Sequence, residues 1–348
     1  MGAGDRLEML IRRCYAGLET DALRAEVLDR LRGILTVDAA FIATVDPATL
    51  LFTSATAEDP LGTVTEAFLD NEFGRSDVNK FTALAAAADP VNSLDHATRG
   101  DWSSSSRYVE VMAPLGLGDE LRAALRSGGR CWGMICLHRA DAGSGFSERE
   151  LTLVRRLGPH LAEGFRRSLL ATKERPATEI GPGVIVLTKG FEVVASSPEA
   201  EHWLTELDHH DDPMRRTELP VAVRAAAAQL THVHELPAAP VLKVRTRAGR
   251  WLAVHASTLS GAGDHHIAVV IEPATPTQLG SFLLDLHGLT PAQQRVTELV
   301  LRGRSTRQII DQLHLSPHTV QEHVRAAYDK VGVRNRRELI AALLGGNH

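Results

Sequence analysis

Between residues 316 and 331 the chain reads Ser-Pro-His-Thr-Val-Gln-Glu-His-Val-Arg-Ala-Ala-Tyr-Asp-Lys-Val, a run whose polar groups gather on one side only if it is a helix. At 100° per residue, Val320, Val324, Ala327 and Val331 fall on one stripe that must pack on neighbouring helices. Opposite that stripe lie His318, Glu322, Arg325 and Asp329, with Gln321 on the flank. Such side chains can reach base edges in a DNA major groove, where Arg325 suits guanine, Gln321 adenine and Glu322 the amino group of cytosine; a plain solvated helix would also be polar there. The arginines around them can hold phosphates.

Charge is distributed to match. The chain of 348 residues has a net charge of −5, yet residues 289–348 carry nine Lys or Arg against five acids, a balance of +4 that leaves −9 on the remainder. A short basic segment on an acidic body lets one end meet a polyanion while the rest stays off it.

The elements that must hold the polar face in place can also be read. Thr290-Pro-Ala-Gln293 and Ser305-Thr-Arg-Gln308 fit the box in which a hydroxyl caps a helix and a glutamine three residues on reaches back. Ser316-Pro-His-Thr319 puts proline at a first helical position, and Asn335-Arg-Arg-Glu338 caps a last helix. Gly303 and Gly332 stand where helices stop. Only His314 and Leu315 separate the second helix from the cap of the third, the tight connection of a helix-turn-helix.

Taken together, Leu289-Thr-Pro, Arg302-Gly303, Ile309, Leu313, Leu315-Ser-Pro-His-Thr-Val320, His323 and Lys330-Val-Gly-Val-Arg-Asn-Arg336 resemble the DNA-binding domain of the LuxR family of bacterial transcription regulators over about 60 residues. The resemblance implies base-reading positions at Gln321, Glu322 and Arg325, backbone contacts from Ser316 and Thr319, and a dimer contact through Leu339 and Leu343 of the last helix. The expected DNA-contacting set is Ser316, His318, Thr319, Val320, Gln321, Glu322, Arg325, Lys330, Arg334 and Arg336. The implied partners are double-stranded DNA, a second copy of the chain and RNA polymerase. Two positions depart from the family: Gln293 replaces the usual glutamate, weakening a buried polar pairing, and Ile310 replaces alanine, demanding local repacking.

Upstream, Leu23, Val27, Leu31 and Leu35 mark an early helix, Ala40–Val45 a strand, and Cys131–His138 a second strand whose two cysteines are expected on opposite sides. Ser147 and Glu150 cap a long helix that buries Leu151, Val154, Leu157, Leu161 and Phe165. Arg130-Cys-Trp-Gly-Met-Ile-Cys-Leu-His-Arg139, then Phe146-Ser147, Glu150 and Leu157-Gly-Pro-His-Leu-Ala162, resemble a GAF domain. The region 180–273, whose pattern also gives a helix at Pro198–Leu207 and strands at 242–246, 251–257 and 267–271, more distantly resembles a PAS domain through Gly183–Leu187, the Lys189-Gly190 turn, Ala195-Ser-Ser-Pro198 and the strand from Trp251. The expected fold is multidomain α+β: a GAF-like sensory domain with flanking helices at 1–172, a PAS-like domain at 180–273 joined by a linker at 173–179, a connecting helix at 277–287 bearing Leu279, Phe282, Leu283 and Leu286, and an all-α four-helix LuxR-type domain at 288–348.

A ligand pocket is expected where Trp132, Met134, Cys136 and His138 alternate onto one strand face near Trp102 and Tyr108, with plain core packing as the alternative. No cofactor is expected, and His209-His-Asp-Asp212, His232-Val-His234 and His265-His266 read as solvated surface, not metal ligands. Three cysteines are too few for a disulfide framework, and the absence of a signal peptide or apolar span leads to the expectation of a cytoplasmic protein away from membranes. No phosphate loop, nucleophile elbow or paired-carboxylate helix points to an enzyme, no aspartate cluster to a phosphorylated receiver, and Trp102 and Tyr108 lack the spacing of acyl-homoserine-lactone sensors. The reading is a homodimeric, sequence-specific transcriptional regulator controlled by a small molecule or partner. The alternatives are sensory domains that only bind proteins, or an enzyme with a DNA-targeting domain.

Overall fold

The computed structural model describes residues 3–140, 145–171, 180–207, 219–230, 240–259 and 266–344, so the 173–179 linker and His209–Asp212, His232–His234 and His265 lie outside the described residues. The chain divides into two compact units, Met1–Pro273 and Ala274–His348.

In the first unit, α1 (Ala3–Cys14) and α2 (Thr20–Arg32) precede the hairpin of β1 (Ala39–Val45) and β2 (Phe52–Ala57). Short elements follow: α3 (Thr65–Gly74), α4 (Phe81–Ala86), β3 (Val91–Ser93) and α5 (Leu94–Thr98). A long ribbon, β4 (Glu120–Ser127) and β5 (Arg130–His138), then leads to α6 (Glu148–Ala171). The strands form one antiparallel sheet in the order β2-β1-β5-β4-β3. β1 is buried along its whole length because it sits between β2 and β5 with both faces covered, which is why it reads as a continuous apolar run. α6 lies across β4 and β5, so closely that a Cβ on Gly133 would come within 2.8 Å of the Phe165 ring and 2.9 Å of the Ala43 carbonyl. Only glycine fits there. The helix starts as its sequence dictates: Glu150 accepts from the Ser147 amide at 2.9 Å and from its hydroxyl at 2.7 Å, and Phe146 is buried.

A second sheet repeats that strand order. It is built from β6 (Gly183–Leu187), β7 (Val193–Ser196), α7 (Pro198–Leu207), α8 (Val221–Ala228), β8 (Leu242–Arg245), β9 (Trp251–Leu259) and β10 (His266–Pro273), arranged β7-β6-β10-β9-β8. The two sheets share a core: α8 packs on β2 and α3 as well as on β9, and one hydrophobic cluster runs from Phe41 and Phe52 to Trp203, Leu252 and Val254. The fully buried Asp46 at the end of β1 accepts from the Lys243 amide at 2.9 Å and ammonium at 3.3 Å, tying the first sheet to β8.

The structure corrects one expectation. A register shift opposite Leu125 and Arg126 inserts an extra residue into β5, so alternation breaks at Trp132. Cys131 therefore joins the cluster that holds Met134 and Cys136, and Trp132, though buried, lies outside it.

At the same end of the ribbon, Glu163 of α6 accepts from Ser127 at 3.2 Å, from Arg166 at 2.6 Å and from Arg167 at 2.8 Å. Burial raises its pKa, but the hydrogen bonds from both arginines outweigh that and bring the carboxyl from 4.5 down to about 2. A depressed carboxyl stabilises the fold above the unfolded pKa and loses that contribution as pH falls. Glu163→Gln is expected to cost about 1 kcal/mol at neutral pH, allowing for solvent screening of the arginines. In urea unfolding series, the gap from the parent protein should close between pH 4.5 and 2.

Candidate nucleic-acid interface

The second unit is all helix: α9 (Pro276–Leu286), α10 (Pro291–Leu301), α11 (Thr306–Leu313), α12 (Pro317–Val331) and α13 (Arg336–Leu344). All four expected caps form. Thr290 and Ser305 each accept from the amide three residues on, while Gln293 and Gln308 reach back. Ser316 accepts from the Thr319 amide at 3.1 Å, and Asn335 accepts from the Glu338 amide at 3.0 Å. The turn between α11 and α12 passes through His314 at φ 51°, a left-handed conformation outside the usual range for a side-chain-bearing residue. α9, expected as a connecting amphipathic helix, packs on α13, and it buries Leu284 more deeply than Leu283.

α12 packs on α10 and α11 through Val320 and Ala327, both 0% exposed, in a core shared with Val296, Leu299, Val300 and Ile309. Turning that stripe inward leaves His318, Gln321, Glu322, Arg325 and Asp329 in solvent on one face. His318 Nε2 lies 3.3 Å from Glu322 Oε1, one turn along, and the Ser316 and Thr319 hydroxyls are 2.9 Å apart at the helix start.

Three expected contacts are overturned by burial. Val320 cannot reach DNA with its side chain, because it fills the core beneath the helix. Leu339 and Leu343, expected at a dimer contact, are both 0% exposed in the same core, where α13 packs on α9, α10 and α12. The exposed residues of that helix are Arg337, Glu338, Ala341 and Ala342.

Two of the expected cations have internal partners that the sequence did not announce. Lys330 Nζ donates to the Gly288 carbonyl at 2.7 Å and to Gln293 Oε1 at 2.9 Å, so the glutamine still holds a pairing where glutamate would make it ionic. Arg336 Nη2 donates to the carbonyls of Val300 and Arg304, both at 2.8 Å, closing the C-terminal end of α10. Arg334 projects into solvent, as do Arg304 just ahead of α11 and Arg307 in its first turn. Ile310, the second departure, is half-buried at the edge of the core.

In the first unit, Met134 and Cys136 belong to the core cluster against which Trp102 and Tyr108 pack, while Trp132 lies outside it. Trp102 and Tyr108 pack edge to face at 5.4 Å, and the Trp102 indole donates to Asp95 at 3.0 Å. Met134 and Cys136 are core residues, and the strand opposite them carries charge: Arg122, partner of Cys136 in the ladder, lies over the Phe81 ring at 3.9 Å and bonds Glu72 at 2.8 Å. Glu120 bonds Arg107 at 2.8 Å and faces His138 at 3.8 Å. Burial outweighs the pull of Glu120 and brings the His138 pKa down to about 4, so the ring is neutral at physiological pH. Open volume in this unit lies elsewhere: one cavity of about 460 Å³ between the two sheets is lined by Thr44, Thr53, Ser54, Glu206, Arg245 and Arg247 among others, and another of about 440 Å³ is lined by Pro90, Ala124, Arg126 and Arg155 among others. Among the described residues no helix is long and apolar enough to cross a membrane.

Sequence comparison bears on both units. The GAF domain family matches residues 19–164, and the family of bacterial regulatory proteins designated luxR matches residues 287–343. The spore germination protein GerE of Bacillus subtilis (strain 168) is 34% identical over 56 residues, covering 16% of this chain and 76% of GerE. The chain belongs to the LuxR family of bacterial regulatory proteins. Two solved structures also align with this LuxR-family chain: the phage VqmA–DPO complex (17% identity, 52% of this chain and 88% of that one, TM-score 0.21) and the E. coli DhaR(N)–DhaL complex (13%, 78% and 87%, TM-score 0.24). The LuxR-type helix-turn-helix and the GAF domain make this a DNA-binding transcription regulator with a sensory module.

The burial of Leu339 and Leu343 has a measurable consequence. Leu339→Ala and Leu343→Ala are each expected to destabilise the C-terminal unit by about 2–4 kcal/mol, the cost of a core cavity. Thermal melts would show the loss, and sedimentation of the folded fraction should show an unchanged mass.

Proposed function

We propose that this LuxR-family regulator binds a specific double-stranded DNA site as a homodimer, reading bases with the solvent face of α12 while its first unit receives a small molecule or a protein partner. The observation that supports the reading most is the complete burial of Val320 and Ala327, which orients Gln321, Glu322 and Arg325 outward together. On that face Arg325 addresses guanine, Gln321 adenine, and Glu322 cytosine, with its carboxylate steadied by His318. Ser316, Thr319 and Arg334 lie where phosphates flank such a groove, whereas Lys330 and Arg336 chiefly position helices, through their bonds to Gly288 and to Val300 and Arg304.

Two copies are needed because one short helix contacts too few base pairs to define a site, and half-sites one helical turn apart match a two-fold pair. The dimer contact is not assigned to Leu339 and Leu343. β10 ends at Pro273 and α9 begins at Pro276, so a change in the second sheet reaches the reader through two intervening residues. RNA polymerase is the proposed partner once the regulator is on DNA. For the effector, the cavity between the sheets offers polar space of small-molecule size. Mass spectrometry of natively purified protein separates ligand sensing from pure protein interaction: a retained small molecule supports the former.

Arg325→Ala should relax preference at one base pair by about 1–3 kcal/mol, measured by selection from randomised duplexes, and unchanged selectivity would remove Arg325 from the reading face. Arg334→Ala should instead weaken all duplexes alike and lower the slope of log affinity against log salt by about one. Arg336→Ala should register first as lost thermal stability, because its guanidinium closes α10.

A further inference from the structure

At the end of the β4–β5 ribbon three potential metal ligands converge. Cys136 and His138 are two residues apart on one face of β5, and Glu120 is the direct ladder partner of His138 on β4. Their donor atoms all lie within 4.8 Å of one another, and none of the three residues is more than 2% exposed. Among the described residues, neither ring nitrogen of His138 has a hydrogen-bond partner, nor has Glu120 Oε1, which sits 3.8 Å from His138 Nε2 and 3.4 Å from Arg122 Nε. A buried imidazole with both nitrogens idle is costly, and nearly all such groups in folded proteins are paired.

We propose that Glu120, Cys136 and His138 form a binding site for a divalent ion of the zinc class, closed around the ion by a small contraction of the ribbon's end. Thiolate, imidazole and carboxylate are the donors such an ion takes, at about 2.0–2.3 Å, and three protein ligands leave a fourth position open. The ion replaces the thiol proton, which leaves to solvent, and no electron moves.

Arg107, Arg122 and Lys80 face Glu72, Asp77 and Glu120 around the site, and a divalent ion arriving as one thiol proton leaves adds +1 to this cluster. The site stands on its own geometry whether or not its occupancy is signalled to the DNA-binding helices.

The test uses the full chain, stripped with chelator and titrated with zinc against a chromophoric competitor, then with cobalt as a spectroscopic stand-in. The expected result is one tight equivalent per chain, a thiolate-to-cobalt absorption band, and zinc-edge X-ray absorption showing one sulfur and two or more nitrogen or oxygen neighbours. Cys136→Ser should abolish the band, and His138→Gln, which keeps the thiol, should weaken binding by about tenfold or more, at least matching the usual loss from an outer-shell change. No tight equivalent, or one that survives both substitutions and shows no sulfur neighbour, would overturn the proposal, the second result placing the ion on histidines elsewhere. The X-ray measurement on the unsubstituted protein decides the matter if either variant fails to fold.

Discussion

A helix that buries two residues seven apart has its outward face chosen for it. In α12 those residues are Val320 and Ala327, and their contact with α10 and α11 is the constraint on which the functional reading depends. The energy comes from burying apolar surface in a core of about ten side chains, worth about 1.5–3 kcal/mol for each large one. The consequence is directional: five polar side chains are held facing solvent by contacts they do not make. Caps at Thr290, Ser305, Ser316 and Asn335 satisfy amides that would otherwise be orphaned at four closely spaced helix starts.

The same economy governs the cations. An exposed arginine and one that bonds two carbonyls look alike in a charge count, yet Arg334 is available to a phosphate and Arg336 is committed to closing α10. Lys330 is an intermediate case, exposed but holding Gly288 and Gln293 together, so its removal would perturb the packing of α12 as well as the local field. The basic balance of the segment therefore overstates the charge that can reach a polyanion. The first unit shows the converse, since Arg107 and Arg122 are wholly buried and spend their charge on Glu72 and Glu120.

Much of the second unit was legible in the sequence because its determinants are local. Caps act across three residues, the packing stripe repeats within one helix, and the two-residue turn is a matter of counting. What was not legible depends on partners far along the chain. β4, Glu-Leu-Arg-Ala-Ala-Leu-Arg-Ser, carries helix-favouring residues and three charges, and becomes a buried strand only because Glu120 and Arg122 meet Arg107 and Glu72, contributed by distant segments. Trp132 left the face that alternation assigned to it because of a bulge set by pairing with Leu125 and Arg126. The dimer contact at Leu339 and Leu343 is what the family resemblance implies, and a resemblance does not say which surface covers an apolar face; the core of this unit covers it.

The central claim is that the polar face of α12 enters a major groove, and methylation interference on a duplex selected by the full-length protein tests it most directly. Methyl groups on guanine N7 project into the major groove, and those on adenine N3 into the minor. The account predicts that N7 methylation at a few guanines, grouped in two patches about one helical turn apart, blocks binding while adenine N3 methylation elsewhere in the site is tolerated. Binding that ignores N7 methylation throughout the selected site would contradict it.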